Sequence, residues 1–186
     1  MANRSYLYTA SKELTQLRDV SEWNYDIPLF YKIVLGSETQ MSASKIWNFE
    51  LPIVIKGDFK NGLKKFYDFL DYLETQQDLD KEAIAGYRQD TLDFFEKYPE
   101  RALDLFFMEG GEIFDMTGDV TPIEQQNEAL YHEIISISKD IDDILNQKPD
   151  NVFDFKHTPW LQEIKKDINA LSVYWTYVTY FSFNKS

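Results

Sequence analysis

From Thr121 onward the apolar residues fall into a 4-3-4-3 pattern: Ile123, Asn127, Leu130, Ile134, Ile137, Ile141 and Ile144. Strand side chains alternate with period two, so no strand can gather these seven positions on one face. A helix can, and its rise per residue gives it about six turns. Thr121 is placed to cap it, Pro122 suits the first helical position, and Glu124 completes a capping box. The spacing is also that of a coiled-coil seam, but the run is only about three heptads long. The better reading is one long amphipathic helix laid on a globular core. The rest of the fold must therefore supply an apolar surface to cover it.

The remaining segments supply such a surface. Asn3 to Thr9 is β-prone, with Tyr6 and Tyr8 alternating against Leu7. After a polar stretch, Trp23 to Pro28 reads as a loop and Leu29 to Leu35 as a short buried helix closed by Gly36. Leu51 to Ile55 is a short β-branched run ended by Gly57-Asp58, which predicts a strand. Leu63, Phe66, Tyr67, Leu70 and Leu73 share a helix face, as do Ile84, Tyr87, Thr91, Phe94, Phe95 and Tyr98 before the break at Pro99. Ala102 to Met108 fits strand or helix. Gly110-Gly111 reads as a turn and Glu112 to Met116 as a strand, together a hairpin.

Thr158-Pro159 opens a further helix, with Trp160, Leu161, Ile164, Ile168 and Leu171 on one side. Val173 to Phe183 is apolar or aromatic on both faces, which predicts a central strand covered on both sides. Gln147 to His157 is the best candidate for a hinge. The expected architecture is α+β: one domain over 1–186, with a small, mostly antiparallel sheet and four or five helices packed on it.

Composition excludes several chemistries. There is no cysteine, which removes disulfides, thiolate catalysis and cysteine-based zinc sites. No apolar run reaches about 18 residues and the N-terminus lacks a signal-peptide core, so the expectation is a cytoplasmic protein. Aromatic residues make up 16% of the chain, too many for a disordered acidic tail. The net charge is −13 and unevenly placed: residues 101–150 hold 12 Asp/Glu against three basic residues, Arg101, Lys139 and Lys148. That block carries −9 and the other 136 residues −4. Such a field attracts basic proteins and repels nucleic acid and anionic membranes.

No catalytic signature stands out. Glu109, Glu112, Asp115 and Asp119 cluster around the glycine pair, but a strand over 112–116 would point Glu112 and Asp115 to opposite faces, and calcium-loop spacing is absent. Glu128 and His132 are an i, i+4 surface pair rather than a metal site. Asp140, Asp142 and Asp143 crowd the end of the long helix, where acid opposes the macrodipole. Trp23, Asn24, Tyr25 and Asp26 form a polar-aromatic cluster that suits a ligand, a peptide or the core edge. Asn127, at a core position, calls for a buried hydrogen bond.

Met1 to Tyr8 (MANRSYLY), Ser21 to Pro28 (SEWNYDIP) and Gly111 to Met116 (GEIFDM), with Ser44 to Trp47 and Gly57 to Phe59 as fainter matches, give the chain its resemblance to a family. It resembles uncharacterised bacterial cytosolic proteins that share a domain of unknown function. The resemblance implies a bacterial source and one compact domain, and brings no activity with it.

The leading expectation is a non-enzymatic binding protein for a basic protein partner, in its sharpest form an immunity-type inhibitor that masks a cationic toxin. Glu112, Asp115, Asp119, Glu133, Asp140 and Asp143 are the candidate contacts, with Trp23 and Tyr25 as aromatic anchors. The alternatives are an enzyme or small-molecule binder using Glu109, Glu112 and Asp115 near Trp23, and a homodimer built on the aromatic C-terminal segment. No catalytic residue, metal or cofactor is assigned.

Overall fold

The structure, a computed structural model, describes residues 3–116, 120–146 and 158–183. Its frame is a five-stranded sheet of β1 (Arg4–Ala10), β2 (Leu17–Asn24), β3 (Gln40–Ser42), β4 (Val54–Asp58) and β5 (Leu105–Glu109). The strand order is β2-β1-β5-β4-β3, and every neighbouring pair is antiparallel. Among the described residues six α-helices accompany it: α1 (Leu29–Val34), α2 (Phe59–Glu74), α3 (Lys81–Lys97), α4 (Gly111–Met116), α5 (Ile123–Leu145) and α6 (Pro159–Lys166). The architecture is α+β, as the hydrophobic pattern predicts.

Alternation along the strands divides the core in two. Leu7, Ile55, Phe106 and Met108 face the helices and join the main cluster. Tyr8, Ala10, Val54 and Phe107 face the other way and form a smaller one. Asn127, Leu130, Ile134, Ile137, Ile141 and Ile144 are all buried along α5, the stripe read from the sequence. That helix begins at Ile123 with Pro122 in the cap position and no side-chain cap bond, so Thr121 does not cap it. Extended Pro122 delays the first helical residue by one, and the Thr121 carbonyl instead accepts from Gln126 Nε2 at 2.8 Å. Helices α2 and α3 are capped by Asp58 and Asp80 side chains, which accept backbone N–H bonds of their first turns.

Four expectations need correction. The first strand after Thr9 is β2, in a stretch that reads as polar. A bulge between Leu7 and Tyr8 in the β1–β2 register leaves Val20 over, breaks the alternation and turns Val20 into the core. The strand expected at 51–55 begins at Val54 and runs through Gly57, where a Cβ would stand 2.7 Å from the Leu35 carbonyl oxygen. Residues 111–116 are helical, not the second arm of a hairpin: the Gly110 carbonyl accepts from Ile113 and Phe114 at 2.9 and 3.1 Å, so β5 turns straight into α4.

The fourth concerns the C-terminal segment, which is an irregular strap and not a central strand. Trp175 packs among Phe30, Phe94, Phe95 and Phe106 on the helical side. The strap then crosses the sheet edge, where Thr176 N–H donates to the Val20 carbonyl at 2.9 Å. Phe181 and Phe183 reach the opposite face against Tyr6 and Tyr8. The two-sided apolar pattern is real, but it comes from a segment that changes faces. The hinge expected at 147–157 lies outside the described residues.

Candidate functional site

The segments that carry the resemblance are far apart in sequence and meet at one corner of the sheet. Asn3 Nδ2 donates to the Glu112 carbonyl oxygen at 2.9 Å. Arg4 N–H donates to Glu112 Oε2 and the Tyr6 hydroxyl to Glu112 Oε1, both at 3.0 Å. Ser5 Oγ donates to the Asp26 carbonyl at 2.7 Å, and Tyr25 N–H donates to that of Asn3 at 2.8 Å. A Cβ on Gly110 would approach Ile27 to 3.0 Å, and one on Gly111 would approach Trp47 Nε1 to 3.2 Å. Asn3 to Tyr8, SEWNYDIP, GEIFDM and the Ser44–Trp47 segment therefore build one junction.

The loop between β3 and β4 is held there by a buried carboxylate. Glu109, the last residue of β5, is 0% exposed. Its carboxylate accepts from Tyr8 OH at 3.0 Å, Ser44 Oγ at 2.7 Å, Lys45 N at 2.7 Å and Ile46 N at 3.3 Å. Ser44 Oγ in turn accepts from Ile46 N and Trp47 N at 3.1 and 2.7 Å. No cation pairs with Glu109 among the described residues. Burial pushes its carboxyl above the usual range, and the hydrogen bonds pull partly back. The Tyr8 hydroxyl is raised well above its ordinary value, mainly by burial and then by the Glu109 charge.

Beside this clamp lies an open cleft of about 320 Å³, lined by Trp47, Asn48, Phe49, Ile53, Gly111, Glu112, Asp115 and Ile123. Trp47 and Phe49 are 40% and 38% exposed. Glu112 and Asp115 stand at i, i+3 on α4 and share a side. The strand expectation had separated them; the helix brings them to one wall. Among the described residues the lining contains two carboxylates and no basic side chain.

The other candidate residues do not join this site. Trp23 lies in β2 and packs edge-on against Phe30, with ring centres 6.3 Å apart. Tyr25 follows β2 with φ 63° and is exposed. Neither lines the cleft, so a pocket near Glu112 exists with Trp47, not Trp23, as its tryptophan. On α5, Glu133 pairs with Lys32 at 2.8 Å and Asp143 with Lys139. Asp142 pairs with Lys65 at 2.8 Å, and Asp140 accepts from Trp160 Nε1 at 3.0 Å. Asp143 lies 20 residues beyond Ile123, which is about 30 Å along the helix, so these acids are not one patch with Asp115. Glu128 and His132 are exposed and 4.0 Å apart. Asn127 is buried with Nδ2 3.3 Å from the Pro52 carbonyl, while its Oδ1 has no partner among the described residues. Asp119 lies outside the described residues.

Trp47 and Phe49 are the residues sequence reasoning missed. Their signal was present: Trp47, Phe49 and Leu51 alternate with Asn48 and Glu50 before Pro52, a strand period in a stretch that forms no strand. Among the described residues no group of three or more His, Asp or Glu could hold a metal ion, and no helix is long and apolar enough to cross a membrane.

The family model for a domain of unknown function, DUF7822, matches residues 6–149. The chain belongs to this family. The DUF7822 match takes in the whole sheet apart from the first residues of β1, as well as the cleft and the clamp beneath it. It ends before α6 and the strap, whose Leu161, Ile164, Leu171 and Trp175 nonetheless complete the main core. No curated protein and no solved structure matches the chain.

Proposed function

We propose that this DUF7822 protein is a non-enzymatic binding protein for a basic protein partner, and that the corner cleft is where the partner docks. The observation that carries this reading is the lining itself: exposed Trp47 and Phe49 beside Glu112 and Asp115, with no basic side chain among the described residues. Aromatic anchors with matching charge are what binding energy concentrates on. The sharpest form of the reading is a bacterial, cytosolic immunity-type inhibitor that masks a cationic surface. The acids of α5 contribute long-range attraction, since lysines and Trp160 already engage them.

An enzyme using Glu109, Glu112 and Asp115 is less well supported. Glu109 is sealed beneath the loop, and both Glu112 oxygens hold β1. The test is capture of a basic protein from host lysate by the tagged chain, eluted across a salt gradient and repeated with Asp115→Arg and with Glu133→Lys/Asp143→Lys. Loss of one stoichiometric basic partner with Asp115→Arg alone supports the reading. Equal capture by all three chains refutes the cleft, and a captured protein without basic character refutes the charge argument.

A further inference from the structure

The chain carries a repeated internal device: a guanidinium laid on an aromatic ring and paired with a carboxylate. Arg4 Cζ lies 4.4 Å from the Tyr180 ring centre while its Nε sits 2.7 Å from Glu22 Oε1. Arg88 Cζ lies 5.6 Å from the Tyr67 ring centre, with Nη2 paired to Asp71. Arg101 Cζ lies 5.1 Å from the Tyr177 ring centre, with Nε 3.6 Å from Glu100 Oε1.

The corner cleft has the other two members of this set without the third. Trp47 and Phe49 present exposed rings, Asp115 is exposed and makes no ion pair among the described residues, and no arginine lines the space. Trp47 is the best ring for a cation, and a guanidinium is more weakly hydrated than an ammonium and can stack and form paired hydrogen bonds at once. The cleft is open to one side, as a side chain entering from another molecule requires.

We infer that the cleft is an arginine-side-chain pocket, in which a partner's guanidinium stacks on Trp47 and pairs with Asp115. This rests on the binding reading above and names the group recognised. Lysine would reach Asp115 but lose the stacked plane, and citrulline would keep the plane but lose the charge.

The probes are three short peptides of identical sequence with one central arginine, lysine or citrulline, titrated into the full-length chain. Binding is followed by tryptophan fluorescence and by the Trp47 indole N–H resonance. Arginine should bind about tenfold more tightly than citrulline and several-fold more tightly than lysine. Asp115→Asn and Trp47→Leu, each first checked by circular dichroism against wild type, should each remove about tenfold of the arginine affinity. Equal binding of arginine and lysine overturns the guanidinium assignment but leaves the basic-partner reading standing. Equal binding of arginine and citrulline overturns both. No shift of the Trp47 indole at saturation overturns the pocket, while the capture experiment decides the partner independently.

Discussion

Glu109→Ala should release the loop that carries Trp47 and Phe49, and the cost can be worked from its bonds. Three donors lose their acceptor: Tyr8 OH, Ser44 Oγ and Lys45 N. Ile46 N keeps Ser44 Oγ at 3.1 Å and adds little. Stranding a buried donor costs about 1–3 kcal/mol; the low end applies to the loop donors Ser44 and Lys45, which can turn to water, but not to Tyr8, buried in β1, so the sum is about 3–5 kcal/mol. For a chain of this size that is a fall in Tm of roughly 6–20 °C. Urea unfolding gives the free energy, and hydrogen exchange at the Lys45 and Ile46 amides reports the loop itself. Both amides should lose protection ahead of global unfolding, and tryptophan emission should shift to the red. A loss under about 1 kcal/mol with both amides still protected would show that the carboxylate does not hold the loop.

The same residue sets a pH dependence. Burial raises the Glu109 carboxyl above its unfolded value, so the stability it contributes is full below the unfolded pKa and is lost as pH rises through the elevated folded one. Wild type should therefore gain stability over Glu109→Gln on acidification from neutral pH, measured by urea unfolding; a difference that stays flat or reverses would refute it. Asp19, raised by burial despite bonds from Ser182 and Phe183, acts with the same sign and remains in both proteins. Gly62→Ala places a Cβ 2.0 Å from the Val34 carbonyl oxygen, where α2 crosses α1, and should lower stability by about 3 kcal/mol in thermal melts. Glu133→Lys breaks an exposed pair and should shift stability by less than about 1 kcal/mol. Deleting residues 158–186 removes Leu161, Ile164 and Leu171 from the core at about 2 kcal/mol each, besides Trp175, a loss comparable to the whole stability of a domain. That fragment should show no cooperative melt, and a cooperative one would mark residues 158–186 as an appendage.

Legibility followed the length of each pattern. Helix α5 offers six turns of evidence, and six of its seven buried positions are those the spacing names, Ser138 being the seventh. Helix α4 offers six residues with only Gly111, Ile113 and Phe114 buried, too short a window to separate a period of 3.6 from one of 2. Strand β2 hid behind its bulge and its polar residues Arg18, Asp19, Ser21 and Glu22. The strap was misread for a different reason. Its aromatic character on both sides is a property of the path it takes over β2, and no local window holds that path. The charge count was correct, but it could not show that Lys32, Lys65 and Lys139 had already met the acids of α5.

The glycine pair shows how the site escaped. Gly110-Gly111 reads as a turn because glycine tolerates positive φ, yet neither residue adopts it here. What each position requires is close approach. A Cβ on Gly110 would press on the Phe114 ring at 3.1 Å, and one on Gly111 on the Trp47 indole at 3.2 Å. The second contact ties a ring from the β3–β4 loop to the first residue of α4, and so sets the cleft wall beside Glu112 and Asp115. Glu112 is used up in holding β1, which leaves Asp115 as the wall's free carboxylate. A signature spread over segments up to 109 residues apart thus describes mostly the scaffold of a corner. What the scaffold does not consume at that corner is a small remainder: two rings and one acid.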